Sequence, residues 1–598
     1  MSSRSKERIH SILAAGHPDL VTHFRALALA IPDKVALTYL ARGEEEEGSI
    51  TFAGIDAHAR SLAAWFQHRG AQGERALMLF EAGVESLHAF LGCAYGRVIA
   101  VPMPVPLSGN VDRYLSRVRN VVIDGGIRYV LTTSALLEKL RHVAGRMEGL
   151  DRVEWLAVDE LRDGPERWVE PKVDESDLTY LQYTSGSTAA PKGVMITHRN
   201  LMKIIAYNGD IFGYATHGTQ GVCWMPYFHD FGLIEGLLMP LAHGMSVYLM
   251  SPFSFVQDPV RWLNAIHRYR ASHSSGPNFA FDLCVRKTTP EQRARLDLSC
   301  WRRANIAAEP IRSATVDRFL ETFAPHGFAP EALSPGWGLA EATLVVTAAE
   351  SGTRYYELDA AKLEKHCVEP RVANKPSRTM VGCGRVWKGP WKVDVKIVDP
   401  ETFEITPRGQ IGEIWVSGDL VAQGYWNRPV ETEATFHARI KGLPDDLYLR
   451  TGDLGFMDGD ELVFTGRRKD LIIVEGRNHY PQEIEKTAES SHPCLRSGCS
   501  IAFSVDTDEQ EQVVLVCELS KGYSLTDDAT TSDLDTITVS RKDVQRAVRR
   551  GVAEEHQLRV HDVVFLAPGL IAKTTSGKLQ RSSCKSRYLN GTLHQATA

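Results

Sequence analysis

Twelve consecutive residues, Tyr183-Thr-Ser-Gly-Ser-Thr-Ala-Ala-Pro-Lys-Gly-Val194, hold four small hydroxyls, two glycines and a lysine. Small hydroxyl residues and glycines let backbone N–H groups approach a polyanion closely. Thr184, Ser185, Gly186, Ser187 and Thr188, with the positive charge of Lys192, therefore form a candidate cradle for a triphosphate. The spacing is not that of the P-loop NTPases, and a loop of this composition taken alone is also an ordinary turn.

Four further stretches follow. Gly336-Trp-Gly-Leu-Ala-Glu-Ala-Thr343 places Trp337 between Gly336 and Gly338, where its ring can stack on a base, and adds Glu341, a hard oxygen ligand suited to Mg²⁺. Tyr448-Leu-Arg-Thr-Gly-Asp-Leu-Gly455 puts Asp453 on a tight turn, able to accept both hydroxyls of a ribose. The last two are basic: Gly466-Arg-Arg-Lys-Asp-Leu-Ile-Ile-Val-Glu-Gly-Arg-Asn-His-Tyr-Pro-Gln-Glu-Ile-Glu485 and Lys573-Thr-Thr-Ser-Gly-Lys-Leu-Gln-Arg581. Singly, each also reads as a turn, a helix N-terminus or a solvated segment. Their joint order is what excludes chance.

The chain that must position them has 598 residues, several times the ~150-residue prior for one domain, so two or more domains are expected. With 43% hydrophobic and 24% charged residues it has a globular composition. Sixty-eight Lys and Arg against 74 Asp and Glu give a net charge of −6, which supplies no basic field for nucleic acid or an anionic membrane. Ten cysteines without a C-x-x-C pair or zinc spacing read as buried thiols of a reducing cytoplasm. Met1 to His10 is charged and is not followed by a signal-peptide core. Phe90 to Leu107 is broken by Gly92, Gly96, Arg97 and three prolines, unlike a spanning helix. The expectation is a cytoplasmic protein with no nucleic-acid partner and no stable membrane insertion.

Helical and β-branched segments alternate. Ile55, Ala59, Leu62, Ala63 and Phe66 share one helix face that Gly70 can end, and Arg97 to Val101 and Met245 to Met250 read as buried strands of a mostly parallel α/β sheet. From about Lys392 the period becomes two, with Val393, Val395 and Ile397 alternating with polar residues and a second strand over Gly409 to Val416, which predicts an antiparallel, barrel-like part. Toward the C-terminus, Val513 to Leu519 reads as a strand and Ser540 as the cap of a helix carrying Val544, Ala547, Val548 and Val552. Ser520 to Asp535 reads as an exposed, mobile polar loop, and Glu44 to Glu47 as a solvated hairpin tip.

The five stretches, in this order, resemble the adenylate-forming superfamily of acyl-CoA synthetases, peptide-synthetase adenylation domains and luciferases, over nearly the whole chain. The resemblance implies an α/β fold: a large N-terminal domain of two α/β sheets plus a distorted β-barrel (residues 1–468), and a small mobile α+β lid (residues 469–598) hinged at Lys469. It also implies that Lys578 is the mobile cation reaching the substrate carboxylate and the α-phosphate. Thr188 and Glu341 would hold Mg²⁺, Thr184 to Thr188 and Lys192 the β- and γ-phosphates, Trp337 the adenine, and Asp453 and Arg467 the ribose.

Within the superfamily the sequence is most similar to the fatty acyl-AMP ligases. Met225-Pro-Tyr-Phe-His-Asp-Phe-Gly-Leu-Ile234, Gly276-Pro-Asn-Phe-Ala280 and Ala307-Ala-Glu-Pro-Ile311 look like that family's substrate and adenine motifs, which adds His229 near the substrate carboxylate and Ala308, Glu309 and Pro310 near the base. His229 also reads as a hydrogen-bonded core histidine. Ala340 stands where many relatives have threonine, removing one phosphate-contacting hydroxyl and leaving open whether Thr343 compensates. Residues 351–381, with Tyr355, Tyr356 and Leu358 as apolar anchors and Lys375 and Arg378 as tethers, resemble the insertion that separates these ligases from acyl-CoA synthetases. The implied activity is ATP-dependent conversion of a fatty acid to acyl-AMP, then transfer to the phosphopantetheine thiol of a holo-acyl carrier protein or of a polyketide or peptide synthase. An acyl-CoA synthetase and a non-catalytic acyl- or nucleotide-binding homologue are the alternatives.

Overall fold

The structure is a computed structural model, and it describes residues 3–105, 111–144, 152–161, 164–184, 191–474, 477–507, 510–526, 532–533, 536–574 and 577–593. The expected helix runs Phe52–His68, with Ile55, Ala59, Leu62, Ala63 and Phe66 buried and Thr51 capping it by accepting the Gly54 N–H. Strands Glu154–Ala157, Tyr129–Thr132, Arg75–Leu79, Ile99–Met103, Leu178–Thr184 and Lys192–Thr197 lie side by side in that order. All pair in parallel except the last two, which form a hairpin. A four-stranded sheet orders Glu45–Thr51, Val35–Ala41, Ser246–Met250 and Gln220–Cys223. The acidic run Glu44 to Glu47 is exposed at its edge.

The third sheet differs from the expected barrel. It begins with short parallel strands, Gly276–Pro277, Ala304–Ala307 and Leu333–Gly338, and continues through antiparallel ones, Val345–Ala348, Ser377–Arg385, Glu461–Arg467, Leu443–Asp458, Gly412–Gly418 and Val393–Val398. Among the described residues this is one 11-stranded sheet whose pairing path stays open. The change of hydrophobic period near Lys392 marks a change of pairing within the sheet.

A hydrophobic core extends from Ile9 to Leu462 and includes the fully buried side chains Trp262, Trp301 and Phe66. A separate core begins at Ile472 and joins Ile484, Leu515, Val544, Val548 and Phe565. It fills the space between helices Pro481–Ser490 and Arg541–His556 and a sheet of Leu495–Thr507, Gln510–Leu519 and Val560–Leu566. Between the two cores lies the single 3₁₀ turn Arg468–Asp470. The expected polar loop over Ser520 to Asp535 is instead partly a sheet: Tyr523–Thr526 pairs in parallel with Thr536–Ser540, and Leu525 is buried there. The alternation of Leu525 with polar neighbours is too short to read as a strand without its partner.

Residues 351–381 form the hairpin of Tyr355–Asp359 against Ser377–Arg385, with the helical turn Ala360–Leu363 inserted. Tyr356, Leu358 and Leu363 pack with Ile411, Leu454 and Phe456. Tyr355 donates its hydroxyl to Asp317 at 2.6 Å. Buried Arg378 lies 3.7 Å from Glu364 and 3.5 Å from His556 Nδ1 of the second core's helix, and Asn478 donates its backbone and side-chain N–H groups to the Glu364 carbonyl. Lys375 is exposed.

Candidate active site

The candidate residues gather at strand ends and turns. The hairpin pairs Thr184 with Lys192 across its open end; Ser185, Gly186, Ser187 and Thr188 lie outside the described residues. The loop end of the hairpin is fixed by Tyr183, whose hydroxyl donates to Asp124 at 2.7 Å while Arg428 pairs with the other carboxylate oxygen at 2.8 Å. Lys192 Nζ sits 4.9 Å over the Tyr425 ring and 3.5 Å from Glu431. Tyr425 in turn donates its hydroxyl to Glu341 Oε1 at 2.9 Å. Lys192 and the Glu341 carboxylate are thus linked through one aromatic ring that carries no charge or spacing to single it out in the sequence.

Glu341 lies on the 3₁₀ turn Ala340–Ala342. The next residue, Thr343, has φ +67° and is wholly buried, and its hydroxyl donates to the Leu420 carbonyl at 2.7 Å. That donor is spent inside the fold, so Thr343 does not replace the hydroxyl that Ala340 lacks. Gly338 is required for a different reason: a Cβ there would meet the Leu344 carbonyl oxygen at 1.8 Å. Trp337, buried on the same strand, donates its indole N–H to Asp453 Oδ2 at 3.0 Å, and Arg467 Nε lies 3.2 Å from Asp453 Oδ1. Asp453 and Arg467 face each other in register on neighbouring antiparallel strands. Burial pushes the Asp453 carboxyl above its ordinary value, and the Arg467 charge and the indole N–H oppose this.

Gly336 closes against Asn305. Ala308 takes φ +70° just after the strand Ala304–Ala307, a strained bend for a residue with a Cβ, and leads to Glu309 and Pro310. Glu309 accepts the Phe279 N–H at 2.6 Å; burial raises its carboxyl, against that bond and the Lys578 charge.

The segment around His229 is clamped from beneath. Tyr227 places its hydroxyl among Phe80 N–H, the Met78 carbonyl and the Met103 carbonyl, all within 3.1 Å, and Gln182 donates to the Phe228 carbonyl at 3.0 Å. Gly232 must be glycine, because a Cβ would lie 2.2 Å from the Pro226 carbonyl. His229 Nδ1 lies 2.5 Å from Asp230 Oδ1, and Asp230 caps the π-helical segment Phe231–Leu238 through the Phe231 N–H.

Onto this surface the second core delivers Lys578, whose Nζ lies 3.5 Å from His229 Nε2. Its loop is pinned by the Thr574 N–H to the Lys578 carbonyl at 2.7 Å and by the Lys578 N–H to Thr574 Oγ1. Gly577, at φ +89°, rests against the Phe279 ring. Arg581 anchors the loop with two bonds to buried Glu485, at 2.9 and 2.7 Å, and a 3.5 Å contact to Asp470. Burial depresses the Lys578 ammonium below its ordinary pKa, with Arg467 adding to the effect and Asp230, Glu309 and Asp453 opposing it. Lys469, in the turn between the cores, is also depressed by burial and by Arg467.

The arrangement brings a lysine, a histidine and carboxylates to one point beside the Trp337–Asp453 pair, with Asp453 inside the strand Leu443–Asp458 rather than on the expected tight turn, a geometry suited to a nucleotide and an anionic partner. The family described as AMP-binding enzyme matches residues 24–426. The chain belongs to that family. Within it the chain is a fatty acyl-AMP ligase. The ligase is 41% identical over 567 residues to a medium-chain-fatty-acid acyl-carrier-protein ligase of Moorena producens, covering 94% of this chain and 93% of that one. It is 37% identical to a long-chain-fatty-acid AMP ligase of Mycobacterium marinum, over 93% and 95% of the two chains. Residues 469–598 match a family described as Disco-interacting protein 2-like, AMP domain. Among solved structures, a fatty acyl-adenylate ligase of Legionella pneumophila in complex with acyl adenylate and pyrophosphate superposes on the ligase with a TM-score of 0.74 at 35% identity, covering 98% of each chain. No helix among the described residues is long and apolar enough to cross a membrane.

Proposed function

We propose that this ligase activates a fatty acid with ATP and passes the acyl group to the phosphopantetheine thiol of a holo-acyl carrier protein, freestanding or within a polyketide or peptide synthase, in the cytoplasm. In the first step a carboxylate oxygen bonds to the α-phosphorus as the bond to the pyrophosphate oxygen breaks. A carboxylate is already nucleophilic, so no base is needed; the barrier is bringing an anion against a polyanion and stabilising the added charge. The observation that carries the reading is the convergence of Lys578 on His229 from a separately cored segment, beside the Asp453–Trp337 pair.

On this reading Lys578 contacts the carboxylate and the α-phosphate, and His229 lines the carboxylate's position. Lys192 and the loop 184–188 hold the outer phosphates, Ala308 to Pro310 and the Trp337 ring border the adenine, and Asp453 and Arg467 hold the ribose. Mg²⁺ is held by one or two carboxylates plus substrate phosphates, and Glu341, with one oxygen anchored by Tyr425, fits that donor pattern; Thr188 would be its partner. Bound there, the ion neutralises phosphate charge. Residues 469–598 would swing about Lys469 to exchange Lys578 for the acceptor thiol.

Fatty-acid-dependent exchange between ATP and pyrophosphate tests the first step, and its absence would favour a binding homologue. Offering holo-carrier protein and free coenzyme A in parallel tests the second. The coenzyme A arm matters because a relative 38% identical, from Mycobacterium tuberculosis, is named a putative fatty-acid–CoA ligase. Acyl-carrier product with little acyl-CoA is the expected result; the reverse would make the chain an acyl-CoA synthetase.

A further inference from the structure

We propose that Asp230 is a positioning residue for adenylation: its carboxylate fixes His229 as the Nδ1–H tautomer, so that the lone pair on Nε2 receives one N–H of the arriving Lys578 ammonium. The inference rests on the functional reading above and assigns a role to a residue that this reading leaves unused.

The tautomer follows from contacts. His229 Nδ1 is 2.5 Å from Asp230 Oδ1, and an unprotonated Nδ1 would set its lone pair against those of a carboxylate. Nδ1 therefore carries the proton and donates it to Asp230. The Phe231 N–H lies 3.2 Å from Nδ1 but only 2.7 Å from Asp230 Oδ1, and it serves the carboxylate. In a neutral imidazole the acceptor is then Nε2, which faces Lys578 Nζ at 3.5 Å. An ammonium with one N–H on Nε2 keeps two, one for the substrate carboxylate and one for the α-phosphate.

Charge supports the same assignment. Burial alone would raise the Asp230 carboxyl, but contact with His229, the Lys578 charge and the Phe231 N–H carry it below its ordinary value, so the group is an anion in the closed state. The other groups facing this cluster are the buried Tyr180 phenol beside Asp230, and Glu309, Asp453 and Arg467 around Lys578. Of the carboxylates that counter the buried ammonium, Asp230 acts most strongly. Its own position is set by the π-helix it caps, and the Tyr227 and Gln182 clamps hold the turn behind it.

The test measures both half-reactions in single turnovers on Asp230→Ala, Asp230→Asn, Lys578→Ala and the double variants. Asp230→Ala should slow acyl-AMP formation roughly 10- to 100-fold, the range for a lost charge-assisted hydrogen bond. The KM for ATP should stay within about twofold, and transfer of supplied acyl-AMP to a holo-carrier protein should be unchanged, because Lys578 has left the site by then. Asp230→Asn keeps an acceptor for the imidazole and the Phe231 N–H, so it should lose less. In the Lys578→Ala background neither substitution should slow adenylation further. Equal loss in both half-reactions, a raised KM for ATP, or losses that add to that of Lys578→Ala would overturn the proposal. If Asp230→Ala does not fold, the same cycle is decided on Asp230→Asn. A wild-type chain without fatty-acid-dependent exchange would instead overturn the functional reading, and this inference with it.

Discussion

The two surfaces that meet at His229 are built by opposite means. On the large core, Asp453 is held by the Trp337 indole and by Arg467 on the neighbouring strand, and Glu341 by Tyr425, so the protein's own contacts place these side chains. Lys578 reaches the same centre on a short loop whose anchors, Arg581 and Glu485, belong to the other core. One surface is preorganised and the other is delivered. Interactions equal in ground and transition states set affinity, whereas those made only at the reacting centre set rate. On the proposed function, the division of the molecule separates binding from chemistry.

Substitutions on the two surfaces should fail differently. Lys578→Ala should cut acyl-AMP formation by ~10²–10³-fold with little change in ATP affinity, the usual cost of removing a preorganised charge-stabilising donor. Asp453→Ala should instead raise the KM for ATP on the order of tenfold to a hundredfold, because it also strips the partner from a buried indole N–H and from Arg467. Steady-state kinetics on both variants check this, and the same kinetic pattern in the two would erase the distinction. Trp337→Ala should raise the KM for ATP about tenfold and change kcat less; an unchanged KM would mean another residue covers the base.

A smaller effect is expected where the two cores touch through residues 351–381. Removing the whole segment would cut into the strand Ser377–Arg385 of the large sheet, so Arg378→Ala is the cleaner probe. It breaks the contacts to Glu364 and His556 and should leave acyl-AMP formation in place while raising acyl-CoA yield severalfold when coenzyme A is offered. No acyl-CoA from a folded, adenylating variant would show that these contacts do not govern acceptor choice.

The smallest effect is one of pH and lies wholly within the preorganised core. Burial pushes Glu235 up to about 7, against its bonds to Ser275 and Asn305. A carboxyl whose folded pKa is raised contributes stability that is complete below its unfolded pKa and is lost as pH rises through 7. Glu235→Gln should therefore flatten the fall in Tm between about pH 4.5 and 7.5, a difference of a few kcal/mol at most. Parallel melting curves across that range would contradict the assignment.

Much of this was legible in the chain. Period and a terminal glycine mark the helix Phe52–His68, and period alone the buried strands and the turn to antiparallel pairing, because each depends on neighbours a few residues apart. Motif order brings out Glu341, Asp453 and Lys578. Local pattern carries no information on which ends meet: Tyr425 binds Glu341 across 84 residues, and Lys578 meets His229 across 349. The Thr343 hydroxyl reads as a free donor until the Leu420 carbonyl is seen beside it. Leu525 likewise reads as loop until Val539 pairs with it.

The central claim, that Lys578 serves only the first step, is tested most directly by single-turnover rates of both half-reactions on Lys578→Ala. The account predicts that acyl-AMP formation falls by ~10²–10³-fold while transfer of supplied acyl-AMP to a holo-carrier protein proceeds at the wild-type rate. Equal losses in the two half-reactions, or full-rate adenylation, would contradict it.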